Sequence, residues 1–154
     1  MEISVQNFLT DTQLHAAYQL WNDEYPGKLQ HHHIADFSNY LDNLAHKTYF
    51  LLINEDGILM GWSATFLRED ERWFAIILNS NVQGKKYGTS ILNEIKKHEN
   101  YLAGWVIDKE GELKADGKPY ASPLMFYIKN GFAVHEDQRI ESNKISAVKI
   151  SWRG

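Results

Sequence analysis

A chain of 154 residues, 44% of them hydrophobic and 13% aromatic, carries enough apolar surface for one compact domain and too much for disorder. Its formal net charge of −4 offers no basic footprint for nucleic acid or an anionic membrane. The absence of cysteine excludes disulfides, thiolate metal sites and a cysteine nucleophile.

The opening residues Met1-Glu2-Ile3-Ser4-Val5 lack a basic region followed by an apolar one, and no apolar run approaches the ~20 residues of a membrane span. A cytoplasmic protein is expected. Ile3 and Val5 begin a short first strand. Thr10 or Asp11 can cap a helix over residues 11–24, which places Leu14, Ala17, Tyr18 and Trp21 on one face until Pro26-Gly27 breaks it. A second helix near 35–45 carries Phe37, Tyr40, Leu41 and Leu44. Tyr49 to Ile53 reads as a buried strand, Asn54 to Gly57 as a hairpin turn, and Ile58 to Phe66 as the returning strand. A charged turn at residues 68–71 leads into a fourth strand, Trp73 to Leu78.

The next stretch, Val82-Gln83-Gly84-Lys85-Lys86-Tyr87-Gly88-Thr89, joins that strand to an amphipathic run, Ile91 to Lys97. A strand, a glycine-containing turn and a helix start present free backbone N–H groups to a phosphate, and the helix dipole adds to the attraction. Leu102 to Ile107 forms a fifth strand. Residues 109–119, with Gly111, Gly117 and Pro119, form a loop or small hairpin. Ser122-Pro123 suits a helix start and Gly131 its end. Residues 132–140 and 145–152 alternate and pair as a final antiparallel couple. All of residues 1–154 fall in one domain.

Neither GxxxxGK[ST] nor GxGxxG occurs, so the turn is not a triphosphate or dinucleotide loop. It resembles the acetyl-CoA-binding motif of GNAT superfamily N-acetyltransferases, Gln/Arg-x-x-Gly-x-Gly/Ala, with Gln83 and Gly88 at its ends. Lys86 stands where the motif has its first glycine. If the backbone there needs a positive φ, the lysine costs roughly 1 kcal/mol or more. A second segment, Tyr127-Ile128-Lys129-Asn130-Gly131-Phe132, looks like the family's Tyr-x-x-x-Gly-Phe.

The resemblance implies a mixed α/β (α+β) fold, with a mostly antiparallel sheet of six to seven strands flanked by about four helices. It implies direct acetyl transfer from acetyl-CoA, as cosubstrate and without a metal, to a primary amine in a ternary complex. The amine acceptor would be a small molecule or a peptide: a small amine, an amino sugar, an amino-acid derivative, a protein N-terminus or a lysine. Another acyl donor is an open alternative, as is a non-catalytic acyl-CoA-binding or regulatory domain. Tyr127 is the implied general acid, since a phenol of pKa about 10 stays protonated at neutral pH. Leu78, Val82, Gln83, Gly84, Lys85, Lys86, Tyr87, Gly88 and Thr89 would surround the cofactor. Ser122 would replace the asparagine the family often has where this chain has Tyr120. The fourth strand lacks the glutamate many relatives use as base, which leaves Asp108, Glu71 or a water chain.

His31-His32-His33 invites a metal reading, but consecutive side chains diverge, and no fourth ligand is apparent. Residues 25–34, with Trp21, Tyr25 and Trp62, are expected to wall the acceptor pocket. The acidic balance slightly favours a cationic acceptor. The 145–152 strand is a candidate edge for homodimerisation.

Overall fold

The computed structural model describes residues 1–154. The chain runs β1 (Glu2–Gln6), α1 (Asp11–Glu24), α2 (Ile34–Asp42), β2 (Ala45–Ile53), β3 (Leu59–Arg68), β4 (Glu71–Leu78), α3 (Tyr87–Lys96), β5 (Tyr101–Val106), α4 (Leu124–Lys129), β6 (Ala133–Glu141) and β7 (Ser146–Arg153). Helix α1 starts where the sequence says it should. The Thr10 hydroxyl accepts from the Gln13 N–H at 3.2 Å, and the Gln13 side chain accepts from the Thr10 N–H at 3.0 Å. Two orphan donors of the first turn are thereby satisfied. The apolar stripe then buries Ala17, Leu20 and Trp21 against the sheet.

One seven-stranded sheet has the order β1-β2-β3-β4-β5-β7-β6. Its strands are antiparallel neighbours throughout, except β4 and β5, which run parallel. Strand parity divides β4 between two cores. Trp73 and Ile77 face α1 and α2, while Phe74, Ile76 and Leu78 face α3 and α4. The expected mixed, mostly antiparallel sheet and four helices are therefore present. No helix is long and apolar enough to cross a membrane.

Two expectations change. Strand β7 lies inside the sheet, paired on both sides by β5 and β6, so the free C-terminal edge is β6. Residues 145–152 have no unpaired edge to offer a second copy. Helix α4 begins at Leu124, because the Ser122 hydroxyl accepts the Leu124 N–H at 3.3 Å while donating to the Ile107 carbonyl at 2.6 Å. The charged turn before β4 is a tight one: Glu69 and Asp70 both adopt left-handed φ, 51° and 62°, without a glycine.

Candidate active site: the cleft between the parallel strands

Strands β4 and β5 share a single register pair, Trp73 with Ala103. Beyond it they diverge, and the gap between them is the candidate site. Its edge carries backbone groups with no strand opposite. The Asn79 N–H donates across to Met60 of β3 at 2.9 Å. Alternation then turns the backbone groups of Ile77 and Ala75 toward β3, and those of Leu78 and Ile76 toward the gap. The Leu78 carbonyl confirms this direction by accepting from the Gln83 side chain at 2.9 Å. The N–H groups of Ile76 and Leu78 are thus donors with no strand opposite.

Two connected cavities occupy the gap. One, of about 470 Å³, is bounded by Ile76 to Leu78, the turn residues Gln83, Gly84, Lys86, Gly88 and Thr89, and the start of α4. The other, of about 200 Å³, lies toward the closed end of the strands and is almost wholly aromatic and aliphatic. Tyr25, Ile76, Tyr120, Pro123 and Tyr127 line both and mark where they meet.

The turn has the backbone geometry of a candidate anion site. Lys86 takes φ 70°, in the left-handed region, immediately before α3. Gly84, also left-handed at φ 75°, lets the chain reverse into it. The first-turn N–H groups of α3 have no carbonyl four residues back within the helix, and the helix dipole gives them positive character. Gly88 is held to glycine by packing: a Cβ there would stand 2.8 Å from the Phe126 ring. The first turn of α3 therefore sits directly against α4, with the cleft between their ends.

No family model and no curated protein matches this sequence. Solved structures do match the architecture. An aminoglycoside 6'-N-acetyltransferase in complex with coenzyme A superposes with a TM-score of 0.74 at 11% identity, over 99% of this chain and 97% of that one. A GNAT superfamily phosphinothricin acetyltransferase from Sinorhizobium meliloti, in complex with acetyl-CoA, gives 0.67 at 10% identity over 99% and 89%. A variant of spermidine N-acetyltransferase from Vibrio cholerae gives 0.64 at 13% identity over 99% and 95%. The chain has the GNAT fold. Identity this low carries the architecture, and the chemistry has to be argued from the residues.

Within that GNAT architecture, Leu78, Gln83, Gly84, Lys86, Gly88, Thr89, Ser122 and Tyr127 all border the larger cavity. Three other turn residues do not. Val82 is buried among the α3-side core, Tyr87 packs against the same core, and Lys85 is exposed outside the cleft lining. Ser122 borders the cavity, but its hydroxyl proton is already given to Ile107.

Both candidate bases are corrected. Asp108 is clamped by Arg139 through two bonds of 2.8 and 3.0 Å, which hold its carboxyl below the usual range. It lines neither cavity, and a carboxylate so stabilised is a poor proton acceptor. Glu71 accepts from the Tyr101 hydroxyl at 2.6 Å and from Lys149 at 3.0 Å, and is likewise lowered. It begins β4, seven residues before Leu78 and roughly 23 Å away at strand rise. Trp62 is corrected too: it is fully buried behind the wall, donating to the Ala17 carbonyl at 3.2 Å. Trp21, Tyr25 and Leu29 do line the inner cavity. His31 packs against Trp21, Phe37 and Tyr40, while His32 and His33 are exposed.

Sequence reasoning missed Glu24. It is the one carboxylate bordering the larger cavity, 9% exposed, and it binds Lys114 at 3.0 Å and the Ser80 N–H at 2.9 Å. Its position as the last residue of α1, just before the Tyr25-Pro26 break, was the available signal.

Lys86 gives a prediction that separates strain from charge. Replacing it with glycine should raise stability by about 1 kcal/mol, because the left-handed conformation no longer costs a Cβ clash. The same variant loses an ammonium from the candidate anion site, so its acetyl-CoA affinity should fall. Urea unfolding and calorimetric titration read the two effects independently. A variant that gains affinity would show that Lys86 does not face the cofactor phosphates.

Proposed function

We propose that this protein is an acyltransferase that moves an acetyl group from acetyl-CoA to an amine in a ternary complex. One observation carries the reading: Tyr127 stands at the junction of two cavities, one edged by a helix N-terminus and free strand N–H groups, the other lined mostly by aromatic and aliphatic side chains. The residues present fit the cosubstrate. The α3 N-terminus, Gly84 and Lys86 would take its pyrophosphate, and the Ile76 and Leu78 edge would hold its pantetheine arm by backbone bonds.

When bound, acetyl-CoA supplies a thioester whose acetyl carbon forms a C–N bond with the acceptor amine as the C–S bond breaks. The chain's part is positioning and electrostatics. Strand N–H groups at the open edge of β4 favour negative charge on the carbonyl oxygen, and do so without reorganising. Tyr127 is 6% exposed and walled by Phe74, Phe126 and Phe132 at ring distances of 5.1 to 5.6 Å. Burial, with a smaller push from Tyr120, raises its phenol above the ordinary value. It therefore keeps its proton at neutral pH and delivers it to the departing thiolate sulfur. The inner cavity has no carboxylate and no histidine in its lining. Glu24, which borders the larger cavity, is engaged by Lys114 and the Ser80 N–H, so water takes the amine's proton in this reading.

Calorimetric titration of the folded protein tests the reading. Acetyl-CoA should bind with a Kd on the order of micromolar, about −8 kcal/mol. Absence of heat at millimolar acetyl-CoA would sink the proposal. Dephospho-CoA, which keeps the pyrophosphate, should retain most of that affinity if the turn at residues 84–89 is the main phosphate contact.

A further inference from the structure

The inner cavity contains one charged group, Arg68. Arg68 is exposed at the end of β3, and its guanidinium lies 4.9 Å from the Phe66 ring and 5.4 Å from the Trp73 ring, so it reaches back over the solvent-facing end of the cavity. Burial pushes the Tyr40 phenol up, and nearby Arg68 pulls against it, which places the charge beside a second lining aromatic. No carboxylate oxygen lies within 4.0 Å of Arg68; Glu71, its Cα partner across β3 and β4, turns to Lys149 instead. The ion pairs around it go elsewhere: Arg72 to Glu99, and Lys149 to Glu71. Glu69 and Asp70, next in the chain, form no ion pair with it. A planar donor fork with no ion pair, at the end of an aromatic cavity, has the shape and charge to take a carboxylate.

We propose that Arg68 is an anion-binding subsite for the acceptor, and that the acceptor carries a carboxylate at the far end of an apolar body from its reacting amine. This rests on the acyl-transfer reading for the position of the amine. The span follows from the register. Phe66 and Trp73 are Cα partners, and the guanidinium lies over both rings. Ile76, where the two cavities meet, is three residues further along β4, about 10 Å at strand rise. An α-amino acid, with amine and carboxylate on one carbon, is too short to reach both anchors. A flat spacer such as a phenyl ring fits between, among Trp21, Tyr40, Trp73 and Trp105. The net charge of the whole chain favours a cationic acceptor, but the cavity that would hold it is positive. Polycationic amines are disfavoured there.

The test is a tryptophan-fluorescence titration, since Trp21, Trp73 and Trp105 line the cavity. The ligands are para-(aminomethyl)benzoate, para-methylbenzylamine (the same body without the carboxylate) and phenylalanine. The wild type should bind the acid about tenfold more tightly than the neutral-ended amine, the worth of one charge-assisted hydrogen-bonded pair. In Arg68→Gln that preference should collapse to within about twofold, with para-methylbenzylamine binding unchanged. Equal binding of the two ligands by the wild type would overturn the proposal, as would an equal loss for both in the variant. Phenylalanine binding as tightly as para-(aminomethyl)benzoate would overturn the span. Acetyl-CoA calorimetry on the same samples keeps the two claims apart. Failure there removes the acyl-transfer reading, while the acid-over-amine preference still decides Arg68.

Discussion

Tyr127→Phe should lower kcat by about a hundredfold or more and leave acetyl-CoA affinity within about threefold. The substitution removes one oxygen from a side chain whose ring is fixed by Phe74, Phe126 and Phe132. Packing is conserved, so the fold has little reason to respond. What changes is the proton source for the leaving thiolate, whose own basicity makes unassisted departure slow. The pH dependence sharpens the test. Because burial lifts the Tyr127 phenol above its ordinary value, the acid form persists through the neutral and mildly alkaline range. The rate should rise with pH as the acceptor amine loses its proton, and Tyr127 should not impose an alkaline fall near pH 10. A variant with full turnover would assign the thiolate proton to water. A wild type with tight acetyl-CoA binding and no turnover on any amine would instead fit a sensor built on the same fold.

The sheet, the helix count and the glycine-containing turn before α3 were legible in the sequence because each rests on local chemistry. Thr10 marks the start of α1 as an N-cap before an amphipathic run, and Gly84 and Gly88 mark a turn, the first by its left-handed φ and the second by its close packing on Phe126. The edge order was not legible. Strands 6 and 7 alternate alike, and nothing local says that β7 inserts between β5 and β6. Roles set by long-range partners were equally hidden. Asp108 looked free until Arg139, 31 residues later, claimed both its oxygens. Glu71 looked like a turn carboxylate, yet Lys149 lies 78 residues away. The three histidines could not be ranked, because His31 is distinguished only by Asn22, which pairs with its backbone on both sides, and by the aromatic rings around it. Arg68 and Glu24 were ordinary charged residues until the fold denied one a partner and gave the other two.

Glu24→Ala should cost about 2–3 kcal/mol of stability, a large effect for a residue at a helix end. The reason is geometric. Glu24 joins three separate walls of the cleft: the end of α1, the Ser80 N–H just after β4, and Lys114 in the loop that precedes α4. The Glu24 and Lys114 side chains are only 9% and 15% exposed, so truncating the acid strands an ammonium with little water and leaves the Ser80 N–H unpaired. For a chain of this length the loss corresponds to a Tm drop of roughly 5–10 °C. Glu24→Gln keeps an acceptor for Ser80 while removing the charge, so it should fall between. Pairing Glu24→Met with Lys114→Met should recover part of the loss, since two apolar side chains leave no buried charge behind. The functional consequence follows from the same three contacts. If they set the width of the cleft, acetyl-CoA affinity should weaken in Glu24→Ala even at temperatures where the variant is fully folded. Calorimetric unfolding and acetyl-CoA titration at low temperature measure the two effects. A Tm within about 1 °C of wild type would mean that water already solvates this pair, and the cleft would need another brace.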